Sequence, residues 1–290
     1  MATASAYLLN TLPTIDRWHL KSTACQHKYF AKEGIKLNVL DKNHYLIRPI
    51  LNKPIQPMCR KIIRLYDFLD SGDDYGVFMD LDTIVINGKK SIHDFLVDGQ
   101  SYIRNALREA SRYDDTDWKD LPYFLKTRAC IHQVLKNALS LDYDIDRLKT
   151  VNTGFSIISR ELCELILNQL EELELDLTKK SGVNNYIELD SEVQRLYEDR
   201  GWAKSIPTIQ DEHLLEIVLN SADRQNNPIK KLKPATHICT EAFEIRIPDP
   251  DSKCFFDMSK LSQKDTIFLH LIACFDADAL DGIFKIAGDF

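Results

Sequence analysis

The first eighty residues alternate between apolar, strand-like runs and longer polar segments with helical character. The pattern predicts three strands, AYLLNTL (6–12), IKLNVLD (35–41) and YGVFMD (75–80), separated by helices over 16–34 and 57–72. Gly34 and Gly72 stand where the two helices are expected to end. Because the strands are apolar throughout, they are typical of parallel strands that are covered on both faces. The sequence therefore predicts an α/β fold with a central, mostly parallel sheet flanked by helices, and 290 residues suffice for one such domain.

Two carboxylates stand at the point where the third strand ends. In VFMDLDTIVIN (77–87), Asp80 and Asp82 directly follow the apolar run. In an open α/β sheet, ligands bind beyond the carboxyl ends of the strands. A hard cation such as Mg2+ takes one or two protein carboxylates and completes its shell with phosphate oxygens and water, so the pair indicates a phosphorylated ligand. The alternative is an ordinary turn, because Asp is frequent in turns.

The bulk composition argues against several other classes of protein. A formal net charge of −7 argues against a protein that binds nucleic acid through a basic surface. The seven cysteines include no CxxC pair, and several lie in apolar runs as expected for reduced thiols of a cytosolic protein. No signal peptide is recognised, and the longest apolar-rich run is too short to cross a bilayer. We therefore expect a cytoplasmic protein without a transmembrane segment or a nucleic-acid partner, of undetermined oligomeric state.

Five segments, taken in order, resemble glycosyltransferases of the GT-A fold, which use sugar nucleotides. CRKIIRLYDFLDSGDDYGVFMDLDTIVIN (59–87) is similar to their DxD region, in which a helix carrying an arginine leads through a glycine turn to an apolar strand. The other segments resemble, in chain order, the first strand with its uracil loop, the Asn-x-Gly-Phe strand, the acidic start of a later helix, and a late strand with a histidine: YLLNTLPTIDRW (7–18), VNTGFSIISREL (151–162), IPTIQDEHLLEIVLN (206–220) and TIFLHLIACF (266–275). The chain departs from the pattern at Arg60-Lys61, where some of these families have Ser-Asp, so the group that holds the ribose stays undefined.

The resemblance implies a fold and an activity. It implies a single GT-A (Rossmann-like nucleotide-diphospho-sugar transferase) domain over residues 1–290, with a nucleotide-binding half at 1–87 and a donor-sugar and acceptor half at 88–290. The implied reaction transfers a hexosyl or N-acetylhexosaminyl group from a UDP-sugar to an acceptor hydroxyl with Mn2+ or Mg2+. The pattern is closer to the retaining families than to the inverting ones. The acceptor would be a glycan, a lipid-linked sugar or a protein.

The resemblance also implies which residues would bind the metal and the phosphates. Asp82 would ligate the cation, Asp80 would contact the ribose or a metal-bound water, and His270 would be the third protein contact. Arg64 and Lys61 would reach the phosphates or the sugar from the preceding helix. As an alternative, His270 is a core residue, since it lies within an apolar strand.

The same resemblance implies residues that would contact the base and the donor sugar. Thr11, Asp16 and Arg17 would lie near the uracil. Asn152 and Gly154 would border the donor sugar, where a glycine lets the backbone approach closely. As an alternative, Asn152 and Gly154 form an ordinary turn that enters a strand.

For the chemical step, the resemblance implies Asp211 or Glu212. In an inverting enzyme such a carboxylate is the general base, and in a retaining one it would stabilise oxocarbenium-like charge. The alternative for Asp211 is a helix N-cap, because DEHLLEIVL reads as an acid-first amphipathic helix.

Two other functional classes stay open on the sequence. A haloacid-dehalogenase-type phosphatase also begins its site with DxD after an apolar strand, but Thr83 stands where that family usually has Gly. A catalytically inactive GT-A-like binding protein is the other class. Separately, the polar segment TKKSGVNNY (178–186) is predicted to be a mobile loop of the kind that shapes the acceptor site in this fold.

Overall fold

The structure is a computed structural model of the chain. It describes residues 2–10, 17–41, 59–104, 123–145, 148–201, 208–222, 227–242, 246–247, 255–271 and 277–287. Thr11 and Asp16, two of the residues predicted to lie near the uracil, fall outside these ranges. Arg17, the third, is exposed at the start of the first helix.

The elements of the N-terminal part follow the predicted alternation. They are β1 (Ala4–Asn10), α1 (Arg17–Lys32), β2 (Lys36–Asp41), a 3-10 turn (Cys59–Ile62) that continues as α2 (Ile63–Ser71), and β3 (Tyr75–Asp80). The later elements are β4 (Thr83–Val85), a 3-10 turn (Ile92–Phe95), β5 (Ser101–Arg104), α3 (Tyr123–Ala138), β6 (Asn152–Ser159), α4 (Arg160–Glu172), α5 (Lys180–Asp199), α6 (Asp211–Ser221), α7 (Asn227–Lys230), β7 (Leu232–Pro234), β8 (Cys239–Glu241), β9 (Arg246–Ile247), β10 (Phe255–Phe256), α8 (Met258–Gln263), β11 (Phe268–His270) and α9 (Ala277–Ala287). Within the described part of the chain, no helix combines the length and the apolar character that crossing a membrane requires.

Six strands form the central sheet in the order β2-β1-β3-β6-β5-β7. β1 pairs in parallel with β2 and β3, and β5 pairs in parallel with β7. β6 is antiparallel to both of its neighbours, β3 and β5, so it alone runs against the others among the described strands of this sheet. A smaller sheet has the order β4-β11-β8. The predicted α/β class with a mostly parallel central sheet flanked by helices is confirmed.

The central strands are covered on both faces, as their continuous apolar sequence predicts. On β3, Phe78 packs in a buried cluster with Phe68 of α2, together with residues of α3 to α6. Its neighbours Val77 and Met79 belong to a second cluster with Phe30 of α1 and with residues of β8 and β11. The sheet therefore lies between a layer of helices and a layer formed by α1 and the smaller sheet.

The prediction of a mobile loop at 178–186 is wrong, because this segment contains the first two turns of α5. Val183 and Tyr186 recur at helical spacing and are buried. A Cβ at Gly182 would lie 2.1 Å from the carbonyl oxygen of Asp176. The glycine therefore permits close packing of the helix on the preceding turn.

Candidate functional site

The three residues predicted to hold a metal converge at one place. Asp80 ends β3, Asp82 lies between β3 and β4, and His270 ends β11. Antiparallel pairing of β11 with β4 sets His270 opposite Thr83. Because Thr83 directly follows Asp82, this register brings the histidine close to the acidic pair. One ligand atom from each of Asp80, Asp82 and His270 lies within 4.8 Å of the other two. We call these three residues the metal cluster.

The donor atoms of the metal cluster fit a divalent cation. Asp80 Oδ1, Asp82 Oδ1 and His270 Nδ1 are buried and have no hydrogen-bond partner among the described residues. His270 Nε2 lies 3.4 Å from Asp82 Oδ1, which is within ion-pair range but not in hydrogen-bonding geometry. Buried polar atoms without partners cost free energy, which a bound cation would offset. Carboxylates suit Mg2+ and Mn2+, and imidazole is a common ligand of first-row divalent metals.

Gly154 of β6 provides the space that the His270 ring occupies. A Cβ at Gly154 would lie 2.1 Å from His270 Cε1 and 2.3 Å from Nε2. Thr83 Oγ1 donates to the carbonyl oxygen of Gly154 at 2.9 Å, and the Gly154 N–H donates to Asn152 Oδ1 at 2.8 Å. The group that approaches Gly154 closely in the structure is thus the His270 ring. His270 is buried, so both the core and the ligand interpretations describe part of its environment.

Two cations predicted to bind phosphate contact the first aspartate. Lys61 Nζ donates to Asp80 Oδ2 at 2.5 Å, and Arg64 Nη1 lies 3.8 Å from Asp80 Oδ1. Burial raises the pKa of Asp80, but the charges of Lys61, Arg64 and His270 together hold it below its usual value. Burial lowers the pKa of Lys61, but the charges of Asp80 and Asp211 raise it by more than burial lowers it. The pKa of Lys61 is therefore above its usual value, and the side chain stays charged. Lys61 and Arg64 therefore keep Asp80 ionised, which binding of a metal would require.

Asp211 is the first residue of α6 but not its N-cap. Gln210 is the N-cap, and its backbone N–H donates to His213 Nδ1 at 3.0 Å. The capping interpretation of Asp211 is therefore wrong. Asp211 is 1% exposed, and its Oδ1 has no hydrogen-bond partner among the described residues. Burial holds the pKa of Asp211 above its usual value, although the charge of Lys61 and a hydrogen bond with Thr153 lower it.

Glu212 is held by a residue that the sequence reasoning missed. Arg128 Nη2 of α3 donates to Glu212 Oε2 at 2.7 Å, and the Thr153 N–H donates to Glu212 Oε1 at 3.3 Å. Arg128 also donates to Glu216, one turn further along α6, so one guanidinium serves two carboxylates. Burial raises the pKa of Glu212 to about 7, although Arg128 lowers it. A partly exposed carboxyl that titrates near neutral pH suits acid–base chemistry.

The comparisons with known proteins give structural neighbours but no sequence relatives. A scan of protein-family models and a search of curated proteins find no match to the chain. Solved structures that align with it include a glycosyltransferase involved in the glycosylation of the major capsid of PBCV-1 (11% identity, TM-score 0.42, 97% of this chain and 99% of that one). Another is the WbbM bifunctional glycosyltransferase (11% identity, TM-score 0.46, 99% of this chain and 50% of that one). A third is a mutant of Drosophila beta-1,4-galactosyltransferase 7 in complex with manganese, UDP-Gal and xylobiose (11% identity, TM-score 0.27, 57% of this chain and 52% of that one).

These neighbours are glycosyltransferases, the class that the sequence resembles, and the Asp80–Asp82 pair fits a DxD-like motif. The chain spans about half the length of WbbM and of the Drosophila enzyme. With TM-scores below 0.5, the likeness alone does not decide the family of the chain.

Proposed function

We propose that the chain is a metal-dependent glycosyltransferase that moves a hexosyl or N-acetylhexosaminyl group from a UDP-sugar to an acceptor hydroxyl, with retention of configuration. The observation that carries the proposal is the convergence of Asp80, Asp82 and His270 beyond the strand ends, with donor atoms left for a cation. Residues 1–87 would bind mainly the nucleotide, and residues 88–290 the donor sugar and the acceptor. The proposed acceptor is a glycan, a lipid-linked sugar or a protein, and the proposed compartment is the cytoplasm.

The metal cluster would hold Mn2+ or Mg2+ in this reaction. The bound cation supplies a Lewis acid that stabilises the charge on the departing diphosphate. Lys61 occupies Asp80 Oδ2, so Asp80 Oδ1 is the atom left to face the metal. Gly154 lets His270 reach the two aspartates, and Arg64 adds positive charge behind Asp80.

The two acidic residues at the start of α6 are proposed to have different tasks. Asp211 is buried and its pKa responds to the charge of Lys61, so its carboxylate would act near the metal cluster by stabilising positive charge at the anomeric carbon. Glu212 is more exposed, and its pKa of about 7 suits exchange of a proton with the acceptor hydroxyl.

The test is an assay of UDP release. The protein is incubated with Mn2+ and a panel of UDP-sugars, with water or simple glycosides as acceptors. We expect UDP release from at least one donor, its loss on chelation of the metal, and a product whose anomeric configuration, read by NMR, matches the donor. Phosphate release from generic phosphoesters would favour the phosphatase, and UDP binding without turnover would favour the inactive binding protein. A protein that neither binds UDP nor releases it refutes the proposal.

A further inference from the structure

A buried polar network joins α3 to α6 behind the candidate site. Arg128 and His132 lie four residues apart on α3, and Glu212 and Glu216 lie four apart on α6, so each pair lies on one side of its helix. Glu216 accepts hydrogen bonds from Arg128 and, at 2.8 Å, from His132 Nε2. His132 Nδ1 lies 2.8 Å from the hydroxyl of Tyr143. Glu216 and His132 are fully buried.

The network also binds the backbone at the start of β6. The Val151 N–H donates to Glu216 Oε1 at 2.9 Å, and Arg128 donates to the Val151 carbonyl oxygen at 3.3 Å. The Thr153 N–H donates to Glu212 Oε1 at 3.3 Å. Side chains of two helices therefore hold the backbone of Val151 and Thr153.

The central sheet leaves this segment only partly paired among the described strands. The register of β6 with β3 ends at Phe155, opposite Met79. Its register with β5 shifts between Ser156 and Asn152, where the two strands are irregular. The network supplies hydrogen bonds that the strand ladder does not supply at this point.

Stability alone is a weak reason for such an arrangement. Burying charged groups removes their hydration, and well-packed apolar residues are often as stabilising as a buried ion pair. Apolar residues in the same place would lack directional hydrogen bonds. The guanidinium fork of Arg128 fixes the positions of Glu212 and Glu216 at the same time.

We infer that Arg128 and Glu216 are positioning residues for the proposed transfer: they fix the β6 backbone and the Glu212 carboxylate so that Asn152, Gly154 and Glu212 meet the donor in one geometry. This inference rests on the proposed function. Arg128 and Glu216 are 4% and 0% exposed, so they act on the donor through Glu212 and the β6 backbone.

The experiment compares two variants with a matched control in the full-length chain. Glu216→Gln keeps the size of the side chain but removes its charge, and Arg128→Lys keeps the charge but loses the fork. Leu170→Ala truncates a buried core residue of α4 and controls for a general loss of stability. The measurements are amide hydrogen exchange of the peptide around 148–159, and KM, kcat and Mn2+ dependence for hydrolysis of a UDP-sugar.

We expect exchange at Val151 and Thr153 to rise about tenfold in both variants, because the carboxylates of Glu216 and Glu212 that accept from these N–H groups would no longer be held in place by the charged fork of Arg128. We expect KM for the UDP-sugar to rise, or kcat to fall, by about tenfold to a hundredfold, because small misplacements of contacting groups have such effects. The Mn2+ concentration for half-maximal activity should stay unchanged. Leu170→Ala should lower the melting temperature without changing exchange in this peptide or the kinetic constants.

Two results would overturn the inference. One is unchanged kinetics in a folded variant whose exchange has risen, which would show a merely structural network. The other is unchanged exchange at Val151 and Thr153. If both variants fail to fold, Tyr143→Phe, which removes a single hydroxyl at the end of the network, serves in the same comparison, with smaller shifts expected. A wild-type protein without UDP binding or turnover would instead refute the proposed function, and the inference with it.

Discussion

Replacing Gly154 with alanine tests the metal cluster through a residue that supplies no ligand atom. The new Cβ would lie 2.1 Å from His270 Cε1, whereas ordinary contacts begin at 3.4 Å, so the ring or the strand must move by about 1.3 Å. Metal–ligand distances tolerate deviations of only about 0.2 Å. The shift would therefore remove His270 from the proposed coordination. Loss of support for a ligand typically lowers metal affinity about 10- to 100-fold, which is about 1.4–2.8 kcal/mol.

The assay is calorimetric titration of Mn2+ into the protein in the presence of UDP, with the melting temperature measured in parallel. Gly76→Ala is the matched control, because Gly76 is also a strand glycine and its Cβ would meet the buried Phe78 ring at 2.6 Å rather than a residue of the metal cluster. We expect Gly154→Ala to weaken Mn2+ binding at least about tenfold, and Gly76→Ala to lower stability alone. A folded Gly154→Ala variant with unaltered Mn2+ affinity would refute the assigned geometry.

Three further predictions concern the acidic residues. Asp82→Asn should abolish Mn2+-dependent UDP release with little change in melting temperature, because the Asp82 side chain is 33% exposed, and near-wild-type turnover would contradict its role as a ligand. Asp211→Asn should leave α6 in place, since Gln210 caps it, and should slow transfer by about 10²–10⁴-fold; a rate close to wild type would assign the chemistry to Glu212. Because burial raises the pKa of Glu212 from 4.5 to about 7, the folded chain keeps a proton there that the unfolded chain loses. As pH rises between these values, the free energy of unfolding of the wild-type chain should therefore fall relative to that of Glu212→Gln, by at most about 3 kcal/mol. Urea unfolding at several pH values measures both free energies, and a difference between them that does not change with pH would contradict this.

Local sequence patterns were sufficient for much of the N-terminal half. Continuous apolar runs identified β1, β2 and β3, and Gly72 adopts the positive φ of 79° that ends α2. The position of Asp80 at a strand end also followed from the sequence, because a strand and its end are defined by neighbours along the chain. The same reasoning failed at α5, where the polar segment 178–186 predicted a loop, although Gly182 lies in a helix whose packing on the turn at Asp176 requires a glycine.

The partners of the buried charged residues were decided by the tertiary structure. The DxD pattern located Asp80 and Asp82, but only the pairing of β11 with β4 brings His270 to them, from a point far along the chain. No local pattern marks Arg128 as the partner of Glu212. The spacing of apolar and polar residues along a helix or strand determines which face of that element each residue occupies. Which charge it meets there depends on how distant elements pack, because a buried charge is stabilised only by groups within a few ångströms in space.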